Sequence, residues 1–276
     1  MQFASRILSN VEVSPRYWRI RLTAPQEFIS ARPGQFVMAR IGDGIDPLLR
    51  RPLAVFGLGT SEKSGGVPQT WFEMLYKVVG KGTAKLSSLR EADSVDILGP
   101  LGTGFDAGGG DESDEDEEKL LVGGGIGLAP LHLLATELAG RRATVRLFAG
   151  GRTRGDLPCI ADFERLGVEC HCATEDGSFG ARGFVTAALD RHLDALRGKA
   201  TLYACGPDGM LRALAGIAAE RGIACQVSLE GRMACGVGAC LGCVAPGRAH
   251  SPRTPDYRCI CTEGPVFDSR ELAWGA

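Results

Sequence analysis

No stretch of this 276-residue chain reaches the roughly 18 consecutive apolar residues that a bilayer-spanning helix takes. Nor do residues 1–10 hold the long apolar core of a secretory leader. The expected location is therefore the cytoplasm, with no membrane partner. Charge imbalance is almost absent: the net charge is −2, so nothing draws the chain toward nucleic acid or an anionic surface. Histidine is scarce, and His132, His171, His192 and His250 are too scattered to form a metal motif. His132 lies in a largely apolar helical stretch and reads as structural. There is no Gly-x-Ser-x-Gly elbow, no Walker loop and no internal repeat, which excludes serine-hydrolase and P-loop chemistry.

Cysteine is what the chain has in quantity. Ten cysteines in a reducing compartment are not expected to pair as disulfides, and five of them crowd between Cys235 and Cys261. Cys159, Cys170, Cys172 and Cys225 fall in or near regular elements and read as packing residues.

Residues 1–104 read as β. Trp18, Ile20 and Leu22 alternate with Arg19 and Arg21, the period-two pattern of a half-buried strand. Pro33-Gly34 turns the chain into a strand over 35–41, and another covers 70–79. Short strands punctuated by Gly and Pro predict a small barrel. Residues 105–118 form an acidic linker or insertion. In it Asp111, Glu112 and the acids from Asp114 to Glu118 repel one another, so the run is expected to stay solvated at a domain boundary. Residues 119–229 alternate β and α, with strands at 120–122, 143–148, 168–172, 200–205 and 224–229. That rhythm predicts a parallel, doubly wound α/β domain. Residues 230–276, rich in Cys, Gly and Pro, are too loop-like to hold together without a staple.

Three constellations carry chemistry. The most specific is Cys235-x4-Cys240-x2-Cys243 followed by a cysteine at 259 or 261, the plant-type [2Fe-2S] spacing. Two bridged irons need four thiolates, and Gly236, Gly238 and Gly242 let one tight loop bring three of them. A structural zinc site is the rival, though it more often shows two Cys-x2-Cys pairs. The second is Gly123-Gly124-Gly125-Ile126-Gly127 with Pro130 in the first turn of a helix, joined by Cys205-Gly206-Pro207. Both turns end strands of one parallel sheet, so both open where a dinucleotide pyrophosphate meets backbone N–H groups. Cys205 is the candidate catalytic cysteine, although a lone cysteine at a strand end is more often a packing residue. The third is Arg51-Pro52-Leu53-Ala54, followed by Tyr76-Lys77 and Gly80-Lys81-Gly82-Thr83, whose cations and donors suit phosphates. Read alone, Arg51 is equally a surface arginine.

In this order the three constellations resemble the ferredoxin–NADP reductase superfamily. The resemblance implies an N-terminal Greek-key FAD-binding β-barrel, a doubly wound NAD-binding α/β domain and here a small C-terminal [2Fe-2S] domain. Arg51 to Ala54 aligns with the superfamily's flavin motif, with Ala54 where a serine is usual. The carry-over adds Leu75, Tyr76, Lys77, Gly82 and Thr83 as flavin contacts and assigns NAD(H) to the two glycine turns. Met233 to Cys243, with Cys261-Thr262-Glu263-Gly264-Pro265-Val266-Phe267, further resembles the electron-transfer subunits of the dihydroorotate dehydrogenase B family. That likeness makes Cys235, Cys240, Cys243 and Cys261 the ligands. It implies a relay between NAD(H), FAD, the cluster and the flavin of a separate FMN-containing catalytic subunit, assembled as a heterotetramer and serving pyrimidine biosynthesis. No base for dihydroorotate is evident in the sequence, which places that substrate on the partner. NAD(P)H–ferredoxin and sulfide-type reductase subunits share the layout. A zinc-stapled interaction module without redox activity is the reading from another class.

Overall fold

Seven strands come first: β1 (Gln2–Ser14), β2 (Tyr17–Thr23), β3 (Phe36–Arg40), β4 (Arg51–Ala54), β5 (Gly57–Glu62), β6 (Pro68–Lys77) and β7 (Ser94–Leu101), with helix α1 (Lys81–Ser88) between the last two. They pair in the order β4-β3-β7-β1-β2-β6-β5, every pair antiparallel. The long β1 serves both halves of the sheet: residues 2–6 pair with β7, and the register with β2 starts at Ile7. Where the chain leaves β4, Val55 N–H donates to Gln35 O at 3.1 Å and Phe56 N–H to Glu73 O at 2.8 Å. These bonds bring the two ends of the sheet together as a barrel around Ile7, Ile20, Leu22, Val37, Phe72 and Met74, all fully buried. The computed structural model describes every residue except 43, 63–67, 109–116, 142, 252 and 276, so most of the acidic run lies outside the described residues.

The second sheet is built from β8 (Glu117–Gly124), α2 (Leu128–Ala139), β9 (Thr144–Gly151), α3 (Ile160–Arg165), β10 (Glu169–Thr174), β11 (Ala181–Arg182), α4 (Val185–Ala195), β12 (Lys199–Cys205), α5 (Asp208–Arg221) and β13 (Ala224–Ser228). Its order is β11-β10-β9-β8-β12-β13, all parallel. The unbroken apolar run of β8 follows from burial on both faces: Leu120 and Val122 enter one core and Leu121 the other. The chain winds one way from β8 to β11 and then returns to the other side of β8 as β12. This leaves a switch point between β8 and β12 at their carboxyl ends, the place where such sheets bind ligands.

Glu117 and Glu118, expected to stay solvated in the acidic run, instead open β8 and are half-buried. Close polar partners make this possible. Glu117 pairs with Lys119 at 2.7 Å, and Glu118 with Arg146 at 3.3 Å and His192 at 2.7 Å. A carboxylate with a cation at hydrogen-bond distance no longer behaves as one of a self-repelling row.

The C-terminal segment adds a ribbon of β14 (Val244–Pro246) and β15 (Tyr257–Cys259), then β16 (Val266–Asp268). β16 pairs antiparallel with β13, so this segment extends the second sheet. It is also tied to the barrel: Thr103 N–H donates to Gly264 O at 2.6 Å, and Thr103 Oγ1 donates to Glu263 O at 2.9 Å. The cysteine-rich loop is thereby held against both sheets. Among the described residues no helix is long and apolar enough to cross a membrane.

Candidate functional site

The two glycine turns meet at the switch point. β8 carries Gly123 and Gly124 to its end, Gly125–Gly127 make one 3-10 turn, and Pro130 lies buried in the first turn of α2. A Cβ on Gly127 would collide with the Cys205 carbonyl, and one on Gly124 would lie 2.8 Å from Pro207 Cδ. Gly206, at φ +159°, would meet Met210 Cε at 2.5 Å. These glycines therefore let two strand ends close on each other and present backbone N–H groups at the head of α2. Cys205 itself is buried, and burial pushes its thiol up to about 12. A thiol raised this far is neutral at physiological pH.

The flavin candidates divide into two groups. Arg51 and Gly82 come together: a Cβ on Gly82 would run into the Arg51 guanidinium. The glycine thus admits the guanidinium to the first turn of α1. Arg51 Nη1 also donates to Leu49 O. Pro52, Leu53 and Ala54 continue along β4, half-buried, with Pro52 opposite Met38 of β3 and Ala54 opposite Phe36. The other candidates have side chains engaged elsewhere. Leu75 and Tyr76 are buried, and Tyr76 OH donates to Asn10 Oδ1 at 3.0 Å. Lys77, expected as a phosphate partner, instead donates to Asp156 Oδ1 and Tyr17 OH, both at 2.8 Å. Thr83 Oγ1 accepts from the N–H groups of Val79 and Gly80 at 3.0 and 3.3 Å, closing the start of α1. What Leu75 to Lys77 offer a cofactor is backbone: past Glu73 the edge of β6 facing β5 has no strand partner among the described residues.

The cysteine loop is shaped by three residues at positive φ, Gly236 (+75°), Gly238 (+77°) and Leu241 (+53°). Their backbone turns inward. Val237 and Cys240 N–H point at Cys235 Sγ, at 3.5 and 3.4 Å, and Gly238 N–H donates to Cys261 Sγ at 3.1 Å. The N–H groups of Val237 and Cys240 hold the Cys235 thiol down, to about 6, so it is largely thiolate at neutral pH. The sulfurs of Cys243, Cys259 and Cys261 lie within 4.8 Å of one another, all buried. Cys240 is exposed, beside the exposed apolar side chains of Val237 and Leu241. A set of thiols with N–H donors aimed at sulfur suits a thiolate-held cluster. A Cβ on Gly236 would strike Met38, so the loop packs on the strand that pairs with Arg51 to Ala54.

Several contacts that organise the site carried no local signal in the sequence. Arg19 forms a two-pronged ion pair with Asp162 of α3, and its guanidinium lies 4.7 Å from the Phe56 ring centroid. His132 stacks on Phe56 at 4.1 Å, and burial lowers its basicity. Tyr17, Lys77 and Asp156 join barrel to α/β domain beside Gly125. The Tyr17–Asp156, Arg19–Asp162 and Phe56–His132 pairings each span more than 70 residues of sequence, and only the folded chain reveals them.

An antiparallel barrel, a parallel α/β domain with two glycine turns at its switch point and an appended cysteine loop define an NAD-linked flavin and iron–sulfur oxidoreductase subunit. Residues 230–273 match the iron–sulfur cluster binding domain of dihydroorotate dehydrogenase B, and residues 121–215 match an oxidoreductase NAD-binding domain. The chain is 37% identical to a dihydroorotate dehydrogenase B (NAD(+)) electron transfer subunit of Desulforamulus reducens, over 99% of this chain and 98% of that one. The subunit of the same name from Shouchella clausii is 38% identical, over 96% of both chains. The chain belongs to this family of electron transfer subunits. A solved NADH-dependent reduced ferredoxin-NADP oxidoreductase superposes with a TM-score of 0.80 at 30% identity, covering 98% of this chain and 90% of that one. The cytochrome b5 reductase domain of Ulva prolifera nitrate reductase shares the fold, with a TM-score of 0.64 at 18% identity over 81% of this chain and 94% of that one.

Proposed function

We propose that this chain relays electrons between NAD(H) at the β8–β12 switch point and a separate dihydroorotate-oxidising subunit. One observation carries the reading: Met38 supports the cysteine loop through Gly236 and pairs with Pro52 of the flavin-type strand, so one residue links the two redox candidates. When bound, FAD supplies the conversion between hydride and single-electron chemistry, and a [2Fe-2S] cluster supplies the one-electron carrier.

The protein's own part is binding and orientation. Gly124, Gly125 and Gly127 admit a pyrophosphate to the head of α2, and Gly206 and Pro207 wall the opposite side. Arg51 and the first turn of α1, opened by Gly82, hold the flavin phosphates, while the unpaired edge of β6 at Leu75 to Lys77 offers backbone to the ring system. Cys235, Cys240, Cys243 and Cys261 hold the irons. Gly238 N–H already faces Cys261, which favours it over Cys259 as the fourth ligand. Exposed Val237 and Leu241 flank Cys240 and suit an apolar docking surface through which electrons leave. The partner is an FMN-containing catalytic subunit in a cytoplasmic heterotetramer. In pyrimidine biosynthesis electrons run from dihydroorotate, oxidised on that partner, to NAD.

The test is analytical. Purified protein should hold about two irons and about one FAD per chain. NADH should bleach the flavin of the isolated chain, whereas dihydroorotate should do so only after the catalytic partner is added. A preparation with one zinc and no flavin would overturn the redox reading. Reduction by ferredoxin, with no response to dihydroorotate and partner, would move the chain to a ferredoxin-linked reductase.

A further inference from the structure

The ferredoxin-type set uses four thiols, and the structure supplies a fifth. Cys259 Sγ lies 3.9 Å from Cys243 Sγ and 3.6 Å from Cys261 Sγ, and the residue is only 8% exposed. Backbone on both sides sets this position. Cys259 stands opposite Val244 in the β14–β15 ladder, and Ile260 N–H donates to Cys243 O at 2.7 Å. On the other side, Cys259 O accepts from the N–H groups of Thr262 and Glu263 at 3.2 and 2.8 Å, and Cys259 N–H donates to Glu263 Oε2 at 2.5 Å. Drawing Cys259 away from its two neighbours would break this turn or the ladder.

Cys261 is oriented differently. Gly238 N–H donates to its sulfur from the loop that also carries Cys235 and Cys240. Cys261 therefore faces the loop, and Cys259 stands behind Cys261 and Cys243. From this arrangement we propose that Cys259 donates its single thiol hydrogen to a ligand sulfur, that of Cys261 or of Cys243, and that it raises the cluster's reduction potential. The inference rests on the assignment of Cys261 as ligand. The physical reason is charge. Reduction adds one electron to a thiolate-held centre, and a hydrogen bond to sulfur stabilises the more negative state more strongly. Burial strengthens the effect, because no water competes for the sulfur lone pairs.

The experiment is an EPR-monitored redox titration of the holoprotein, comparing wild type with Cys259→Ala, Cys259→Val and Cys259→Ser. Iron content should stay at the wild-type level in all three variants. Ala and Val remove the donor, and Val also fills the space, so either reports if the other folds poorly. In both, the ratio of reduced to oxidised cluster at a fixed poise should fall about threefold, a negative shift of ~28 mV at 59 mV per tenfold for one electron. Ser keeps a donor and should return toward the wild-type potential, with the flavin potential unchanged throughout. A wild-type cluster potential in the apolar variants would overturn the proposal and leave the ligand assignment standing. Loss of iron in all three Cys259 variants, with iron retained in Cys261→Ser, would overturn both.

Discussion

The Tyr17 hydroxyl donates to Asp156 Oδ1 at 2.8 Å, joining the first residue of a barrel strand to the loop after β9, 139 residues away. Lys77 Nζ donates to both partners, at 2.8 Å each, so three residues from three elements share one knot. A Cβ on Gly125 would lie 3.6 Å from the Tyr17 oxygen, so the knot stands beside the turn proposed to receive the dinucleotide. Burial disfavours the Asp156 carboxylate, but the hydrogen bonds from Lys77 and Tyr17 outweigh it and hold Asp156 below the usual carboxylate range.

Replacing Asp156 with Asn should loosen the join between barrel and α/β domain. Losing a hydrogen bond to a charged group costs about 1.5–3 kcal/mol. The sign of the pH dependence follows from the lowered carboxylate. Its contribution is complete above the unfolded-state value, about 3.9, and is lost as pH falls through the lower folded-state value. Thermal melts of wild type and Asp156→Asn should therefore differ by a constant amount between about pH 5 and 7 and converge below about pH 4. Curves that stay equally separated down to pH 3 would refute the assignment.

Gly127→Ala places a methyl group against the Cys205 carbonyl, a backbone atom that has no rotamer to escape into. Forced overpacking of this kind costs about 1–3 kcal/mol. NADH-driven flavin bleaching in stopped flow should slow at least tenfold, while FAD and iron contents stay near the wild-type level. An unchanged rate would show that the two turns tolerate separation.

Cys261→Ser should lose or greatly weaken the iron–sulfur absorbance while FAD content and NADH reactivity survive, because those functions rest on residues before Glu230. Cys259→Ser should keep the cluster bands. The reverse pattern in the visible spectrum would transfer the fourth ligand to Cys259.

Arg51→Ala should weaken flavin retention. A cation paired with phosphate contributes about 1.5–3 kcal/mol, so the dissociation constant for FAD should rise roughly tenfold to a hundredfold. Arg51→Lys should recover only part of this, since an ammonium lacks the planar fork. Fluorescence of released FAD after dilution reads both. Equal retention in all three proteins would detach Arg51 from the flavin site.

Local chemistry determined much of this protein in advance. The period-two run at residues 17–22, the glycine turn after Leu120-Leu121-Val122 and the Cys-x4-Cys-x2-Cys loop each lie within a short stretch, and their spacing is itself the physical constraint. A tight turn needs neighbouring glycines, and three thiolates on one loop need close cysteines. Glu117 and Glu118 mark where that reasoning stops. They continue the acidic run, and although Lys119 pairs with Glu117 within the same strand, the partners of Glu118, Arg146 and His192, arrive from β9 and α4. Tertiary structure alone sent Lys77 to Asp156 rather than leaving it free for phosphate, stacked His132 on Phe56 and set Cys259 beside two prospective ligands. Sequence spacing records which residues can share a turn. It does not record which strand ends and helix faces meet, because those contacts depend on how the two sheets bury their apolar sides against each other.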